Sequence, residues 1–244
     1  MRLGIISDIH GNAVALQEVL IALEDAGVDE IICLGDVVGY GPHPGLCSEI
    51  VRGSCSLVIA GNHDRALGDI EVQGWFNPVA DSALEWTRER LDDEDLEWLL
   101  ALPSEAPHAE GPLCCHGAPG APDDYVLTAR DARDALLASA CGIILCGHTH
   151  RPMACDINGR RQCTWLHWCD GDVVPLEKGH RYLFNPGSVG QPRDNDSRAA
   201  YMVIDLARQE ASLHRIRYEV GATQRAMRSA GLPEELAKRL ATGV

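Results

Sequence analysis

Five short pieces of the chain place Asp, Asn or His beside Gly where an apolar, β-type run stops. They are Asp8-Ile9-His10, Gly35-Asp36, Gly61-Asn62-His63-Asp64, His116-Gly117 and Gly147-His148-Thr149-His150. The runs that end in them are Leu3–Ser7, Glu30–Leu34, Ser56–Ala60, Leu113–His116 and Gly142–Cys146, and each reads as a strand. In an open α/β sheet the carboxyl ends of the strands are where ligands collect. Pieces as distant as Asp8 and His150 can therefore converge, and a fold that gathers them must align five strand ends.

The segments between the runs supply helices. From Asn12 to Ala26, the residues Leu16, Val19, Leu20 and Leu23 fall at i, i+3, i+4 and i+7, the pattern of one buried helix face. Asn12 is the expected N-cap and Gly27 the expected stop. The loop GDVVGYGPHPG leads into a short helix at about Leu46–Val51, and a further helix spans Ala129–Ala140. This order predicts an α/β layered fold, α+β in some schemes. The alternation breaks at about 69–102, where Pro78–Leu91 and Glu94–Leu102 read as helices, with Asp92 or Asp93 capping the second and Pro103 ending it. Such a helical insertion is a lid beside the strand ends or, the favoured reading, a helical layer on the sheet. Strand patterns dominate the second half. Asn158-Gly159 predicts a tight hairpin between Met153–Ile157 and Arg160–Leu166. Further strands are expected at Tyr182–Asn185, Ala199–Ile204 and Ala211–Tyr218, and terminal helices at Ala222–Ala230 and Pro233–Ala241. The whole is a two-sheet β-sandwich flanked by helices. No internal repeat or linker interrupts it, so residues 1–244 read as one domain.

Apolar residues make up 45% of the chain, enough for a sizeable core. The formal net charge of −15 argues against nucleic acid as partner, because such binding needs a positive surface to displace counterions. It does not exclude a small anionic substrate, since a buried metal reverses the local field. The start, MRLGIISDIHG, lacks the apolar stretch of a signal peptide, and no run is long enough to span a bilayer. A soluble, cytoplasmic protein without a membrane partner is expected. The ten cysteines are scattered through apparent strands and helices and read as reduced, buried thiols. Cys155, Cys163 and Cys169 near His167 and His180 raise the idea of a structural zinc, but no C-x2-C pair supports it. Cys114 and Cys115 should point to opposite faces of a strand.

Taken singly, each of the five pieces is an ordinary cap, turn or strand end. Together they offer the oxygen and imidazole donors that suit divalent ions such as Mn²⁺, Fe²⁺ or Zn²⁺. Residues at i and i+2 on a strand end share a face, so Asp8 with His10, and His148 with His150, are each expected to aim two donors at one place.

The ordered set resembles the calcineurin-like metallophosphoesterase superfamily, whose pattern is D-x-H, G-D, G-N-H-[DE], H and G-H-x-H. The resemblance runs from Leu3 to about Asp205. The stretches GDVVGYGP, GNHDRA and FNPGSVGQPR are similar to its small bacterial and archaeal phosphodiesterase branch. It implies a metal-dependent phosphoesterase with two divalent cations. Asp8, His10, Asp36 and His150 would hold the first, and Asp36, Asn62, His116 and His148 the second, with Asp36 bridging. His63 would touch the phosphoryl oxygen and protonate the leaving group. One position departs from the protein serine/threonine phosphatase branch, which has an aspartate three residues after the bridging one to orient that histidine. Here Gly39 stands there, which argues against a protein phosphatase and leaves His63 without an identified partner.

Two divalent ions beside two carboxylates leave the site positive and can lower the pKa of a shared water to roughly 7. The expected reaction is in-line attack of that hydroxide on a phosphodiester, nucleotide or polyphosphate, with no serine or cysteine nucleophile. The expected partner is therefore a small phosphorylated substrate such as a nucleotide. Arg193 is a candidate phosphate ligand, and Tyr40 and His43 are candidate pocket walls. The alternative is a non-catalytic metal-binding scaffold of the same fold acting in protein assembly. Such relatives lack the catalytic histidine, whereas His63 is present here.

Overall fold

The computed structural model describes residues 1–74 and 76–244; Trp75, inside the expected insertion, lies outside the described residues. The first half runs β1 (Arg2–Ile6), α1 (Ala13–Asp25), β2 (Glu30–Cys33), α2 (Pro44–Ser54) and β3 (Leu57–Val58). Four helices follow: α3 (Asn62–Ala66), α4 (Ile70–Gln73), α5 (Pro78–Arg88) and α6 (Asp93–Leu100). Next come β4 (Glu105–Pro107), β5 (Leu113–Cys115), α7 (Ala129–Ala138), β6 (Ile143–Leu145), β7 (Pro152–Ile157), β8 (Cys163–Trp165) and β9 (Val173–Pro175). The chain ends with β10 (Arg181–Pro186), β11 (Ala199–Asp205), β12 (Glu210–Ile216), α8 (Val220–Ser229) and α9 (Glu234–Arg239).

The strands form two sheets of six, ordered β3-β2-β1-β11-β12-β9 and β4-β5-β6-β10-β7-β8. In the first, β1, β2 and β3 run parallel; in the second, β5, β6 and β10 do. The alternation of side chains along each strand explains the layering. Leu3 and Ile5 of β1 face inward with Ile32 and Leu34, and meet Leu145, Ala154 and Phe184 of the second sheet. Ile6 and Cys33 face outward onto Leu16, Val19 and Leu23 of α1. On the far side, Cys115, Ile144 and Leu183 pack on Ala132 and Leu136 of α7. The fold is thus the expected sandwich with helices outside. Cys114 belongs to the inner core and Cys115 to the outer one, on opposite faces as the strand period requires.

Local signals explain most boundaries. The Asn12 side chain accepts from the Ala15 N–H at the start of α1, and Gly27 turns at φ 64° just after the helix. Asp92 caps α6 by accepting from the Asp95 N–H. The insertion extends the helical layer: α6 packs on α2 and α3, and α5 packs through Ala80 and Ala83 on Met227 and Leu236 of the terminal helices. The residues before α5 also reach the strand ends, so the segment is both layer and wall.

The hairpin differs from the expected tight turn. Ile157 pairs with Cys163, leaving residues 158–162 as a longer loop. The Asn158 side chain accepts from the Arg160 and Gln162 N–H groups, and Arg161, not Gly159, takes the positive φ. Satisfying two backbone donors from one Asx side chain outcompetes the two-residue turn. The short strands β4 and β9 carry too few residues, each with a proline, to show a period in the sequence. All ten cysteines are free. The suspected zinc set is divided: Cys155 is buried under α7, His180 pairs with Asp156 at 2.6 Å, and His167 and Cys169 lie on an exposed turn with Asp172. No described helix is long and apolar enough to cross a membrane.

Phe184 is fully buried where the sheets meet. Phe184→Ala is expected to lower unfolding stability by about 3–5 kcal/mol. Chemical denaturation would measure it, and a loss below ~1 kcal/mol would contradict the described core.

Candidate metal centre

Every loop of the centre follows the carboxyl end of a parallel strand. Asp8 and His10 follow β1, Asp36 follows β2, and Asn62 and His63 follow β3. His116 follows β5, and His148 and His150 follow β6. Main-chain hydrogen bonds continue beyond the strands and fasten these loops together. The Asp8 N–H donates to Gly35 O, His10 N–H to Asp36 O, Gly147 N–H to His116 O, and Gly190 N–H to Asp8 O. Asp8, His10, Asp36, Tyr40, His148 and His150 all have φ between 50° and 66°, the left-handed region. The expectation that i, i+2 spacing aims each pair at one place holds for Asp8 and His10, which share a cluster, and is corrected for His148 and His150. Left-handed turns past the strand ends do the aiming, and His148 and His150 diverge to different clusters.

One cluster comprises Asp8, His10, Asp36 and His150, and the other Asp36, His116 and His148. Within each, one donor atom per residue lies within 4.8 Å of the others. Asp36 belongs to both: its Oδ2 is 3.4 Å from His10 Nε2 and 3.4 Å from His116 Nε2. His150 Nε2 is 3.2 Å from Asp8 Oδ1. Asn62 borders the same cavity, and its side-chain oxygen has no partner among the described residues.

The tautomers are set by carbonyls, which can only accept. His10 Nδ1 donates to Val38 O, His116 Nδ1 to Leu34 O, His150 Nδ1 to Gln191 O and His148 Nε2 to Asp123 O. Each ring turns its other nitrogen to the centre. Burial drives His10 and His150 well below the ordinary imidazole range, so both rings are neutral. Their Nε2 atoms then face each other as bare lone pairs at 3.1 Å. Asp8 Oδ1 is also buried without a hydrogen-bond donor. Buried acceptors left unpaired in this way cost free energy unless a cation satisfies them. The donor set of carboxylate, imidazole and amide oxygen suits divalent ions, and a histidine whose other nitrogen is tied to a carbonyl is the usual form of a metal ligand.

Two glycines make room. A Cβ on Gly61 would lie 2.0 Å from Asp36 Oδ1, so the carboxylate common to both clusters needs glycine there. A Cβ on Gly39, at φ 88°, would lie 2.5 Å from His63 Nδ1. The position that holds an aspartate in the protein phosphatases is thus filled by the histidine ring itself. His63 is oriented by aromatic packing instead: its ring lies 4.4 Å from Tyr40, 4.5 Å from Phe76 and 4.8 Å from His10. Its backbone N–H donates to Asp36 Oδ1 at 2.9 Å. Burial lowers its pKa to about 4, so the ring is neutral at pH 7. Asp64 does not face His63. Its carboxylate accepts from the Val38 and Gly61 N–H groups and clips two loops together.

A cavity of about 240 Å³ opens over the centre. Asp36, Asn62, His63, His148 and His150 form its floor, and Tyr40 and Arg193 stand in its wall. Asp8, His10 and His116 lie beneath, almost fully buried. His43 does not line it; this residue is the N-cap position of α2. The sequence reading missed Phe76 and Asn77 from the insertion, and Asp123 and Tyr125. Tyr125 stacks on His148 at 3.9 Å, and Asp123 supplies the carbonyl that orients that ring. The run GAPGAPDDY carries no period or motif, so only its place after His116 could have signalled a site loop. Asn185 and Ser188 of the FNPGSVGQPR stretch act beneath the surface. They donate to Gly147 O and Asp8 O respectively.

Comparison with known proteins agrees with this geometry. Residues 1–209 match the model of the calcineurin-like phosphoesterase superfamily domain. An uncharacterized protein of Methanocaldococcus jannaschii is 33% identical over 99% of this chain and 98% of its own length. The phosphodiesterase YfcE of Escherichia coli is 26% identical over 84% of this chain and 88% of its own. A metallophosphoesterase structure from Sphaerobacter thermophilus superposes with a TM-score of 0.88 at 41% identity, covering 100% of this chain and 99% of that one.

Without cations, protons occupy the centre. Burial raises the Asp8 carboxyl to about 7. Burial opposes a charge on His116, but Asp36 and Asp8 overcome it and raise the ring to about 9. Both groups ligate only when deprotonated, and both pKa values are raised, so protons compete with cations below them. Divalent-ion affinity is expected to climb from pH 6 to 9, by roughly tenfold per pH unit for each proton displaced. Calorimetry in buffers of different ionisation enthalpy would count those protons, and an affinity independent of pH would contradict the assignment.

Proposed function

Because the chain belongs to the calcineurin-like phosphoesterase superfamily, we propose that it hydrolyses a phosphodiester or a nucleotide-type phosphate bond with the help of two divalent cations. The observation that carries this reading is the pair of donor clusters sharing Asp36 at the floor of a cavity wide enough for a phosphate ester. Asp8, His10, Asp36 and His150 would hold one ion, and Asp36, Asn62, His116 and His148 the other; Mn²⁺, Fe²⁺ and Zn²⁺ all suit these donors. When bound, such ions supply Lewis acidity toward a phosphoryl oxygen and acidify the attacking water to a pKa of roughly 7.

The protein's own groups do the rest. His63, neutral and clamped between Tyr40 and Phe76, presents its N–H to the phosphoryl and leaving oxygens as charge develops there. Arg193 adds a guanidinium at the cavity wall. Its Nη2 donates to Gln191 Oε1 at 2.9 Å, while its Nε is buried without a partner among the described residues. A planar guanidinium in that state matches two oxygens of a phosphate. The scaffold alternative is less favoured, because His63 is present and oriented toward an open cavity.

The test is hydrolysis of bis(p-nitrophenyl) phosphate and p-nitrophenyl phosphate by protein reloaded with Mn²⁺. Turnover of the diester supports the reading; metal-loaded protein that cleaves neither ester would refute it. His63→Ala should retain the metals and lose about 10²–10³ in kcat, the usual cost of removing one donor to a charged transition state. Asp36→Asn should instead lower metal content by elemental analysis, because one carboxylate serves both clusters.

A further inference from the structure

Three of the four carbonyls that fix the imidazole tautomers belong to residues whose own N–H groups are tied down. The Leu34 N–H donates to Ile6 O, the Val38 N–H to Asp64 Oδ1 and the Gln191 N–H to Ser188 Oγ. The fourth is held differently. Asp123, whose carbonyl accepts from His148 Nε2, sits in the loop between β5 and α7, outside both sheets. That loop folds back at its start, where Ala118 and Ala121 exchange two main-chain hydrogen bonds. Val126 anchors its far end in the core against α7. Between these anchors, Asp123 and Tyr125 border the cavity. The tie at this point is a side-chain pair: Arg65 of α3 donates from Nη2 to Asp123 Oδ1. Among the described residues, Arg65 is the one cation within 4.0 Å of that carboxylate, and both side chains are only 23% exposed.

Two groups of this loop hold His148. Burial lowers the pKa of the ring to about 3, so it is neutral and carries one N–H, the one given to Asp123 O. The Tyr125 ring stacks on it at 3.9 Å with the planes 13° apart. Carbonyl and stacking ring are therefore both placed by the segment that Arg65 tethers. The tether starts on the short helix that also carries Asn62 and His63, so one helix reaches opposite sides of the same donor cluster.

We infer that Arg65 is a positioning residue for the second cation. Through Asp123 it fixes the loop that orients His148, and so raises the affinity for the ion that His148 and Asn62 would share, without ligating it. The inference rests on the two-cation reading for that ion, but the link from Arg65 to the His148 ring is separable from it. Charge alone predicts the opposite sign. Removing the Arg65 cation would leave the Asp123 carboxylate unpaired at the cavity wall, where it would attract a divalent ion more strongly. A loss of affinity on removing Arg65 therefore identifies positioning.

The experiment titrates metal-free protein with Mn²⁺ and follows the free ion by electron paramagnetic resonance. His148→Ala identifies which binding step depends on that ring. Arg65→Gln should weaken the same step by about tenfold, the lower end of what a group behind a metal ligand contributes, and leave the other step unchanged. Arg65→Lys, which keeps the charge but changes the reach, should lose less. Arg52→Gln, which removes an ion pair with Glu94 between α2 and α6, should change neither step. A second readout needs no metal. The stacked Tyr125 ring shifts the Hδ2 proton of His148 upfield, and in metal-free Arg65→Gln that resonance should move downfield, as in Tyr125→Ala. Asp123→Asn, which keeps the carbonyl but loses the charged tether, should move it in the same direction. An unmoved resonance, or second-ion binding in Arg65→Gln as tight as in wild type or tighter, would overturn the inference. Should Arg65→Gln not fold, Arg65→Lys and the spectrum of Asp123→Asn decide the matter. Wild type that takes up a single ion would refute the two-cation reading, and the resonance alone would then decide whether Arg65 holds His148.

Discussion

Four imidazoles each give one ring nitrogen to a main-chain carbonyl, and the rest of the centre depends on that constraint. The acceptors are Val38, Leu34, Gln191 and Asp123, in loops that follow strands of both sheets. His116 follows β5 of the second sheet but is held by Leu34 of the first, so the contact that fixes its tautomer also ties the layers together at the strand ends. The consequence is electrostatic. Rings fixed this way cannot turn an N–H to one another, and His10 and His150 are left with facing lone pairs. Asp36 carries charge among them, held ionised despite its burial chiefly by the neighbouring His116. Such a cluster is tolerable with protons in it and better satisfied by cations, and the backbone has already removed most ways of relaxing toward anything else.

That fixation has a conformational cost. Of the nine described non-glycine residues with positive φ, six belong to the centre or its wall. Each such conformation costs of order 1–3 kcal/mol and persists only where the surroundings over-determine it. Here they do. The bonds of Asp8 to Gly35, His10 to Asp36 and Gly190 to Asp8 continue the sheet past its strands, and Asn185 and Ser188 hold the Gly147 and Asp8 carbonyls from below. Asp and His tolerate the left-handed region better than most residues, so the residue types that can ligate are also those that can turn this sharply. Glycine is needed nearby for a different reason. At Gly61 there is no space for a Cβ beside the Asp36 carboxylate.

The sandwich was legible in the sequence because its core strands carry long apolar runs and its helices a clean 3.6-residue period, as in α1. Edge elements were not. Three-residue strands such as β4 and β9 are defined by pairing partners far away in the chain, and nothing local announces them. The hairpin after β7 was misjudged because Asn-Gly is a local signal, and it lost to a side chain that bonds two donors across a longer loop. At the site, the seven donor-bearing residues stood out by type and spacing. Their aim did not, since the direction of His148 depends on a carbonyl at Asp123 and that of His63 on Phe76. Gly39 shows the limit best. The sequence marks an absent carboxylate there, but only the fold reveals that the histidine ring occupies the vacated space and that aromatic contacts orient it.

On the proposed reading, a chain with a formal charge of −15 must still admit an anion. The separation of charge in space resolves this. Much of the acid is exposed on helices such as α6, whose first turn holds the exposed Asp93 and Glu94, and there solvent and salt screen it within about 10 Å. The centre's carboxylates are buried and would be outweighed by two divalent ions. Arg193, turned toward the neutral Gln191 Oε1 rather than a surface acid, keeps its charge available at the cavity wall. Local positive potential inside low-dielectric walls governs what enters, whereas the net charge governs what the outer surface repels. An acidic exterior is therefore compatible with the proposed small phosphate ester, provided that it fits wholly within the cavity over the centre.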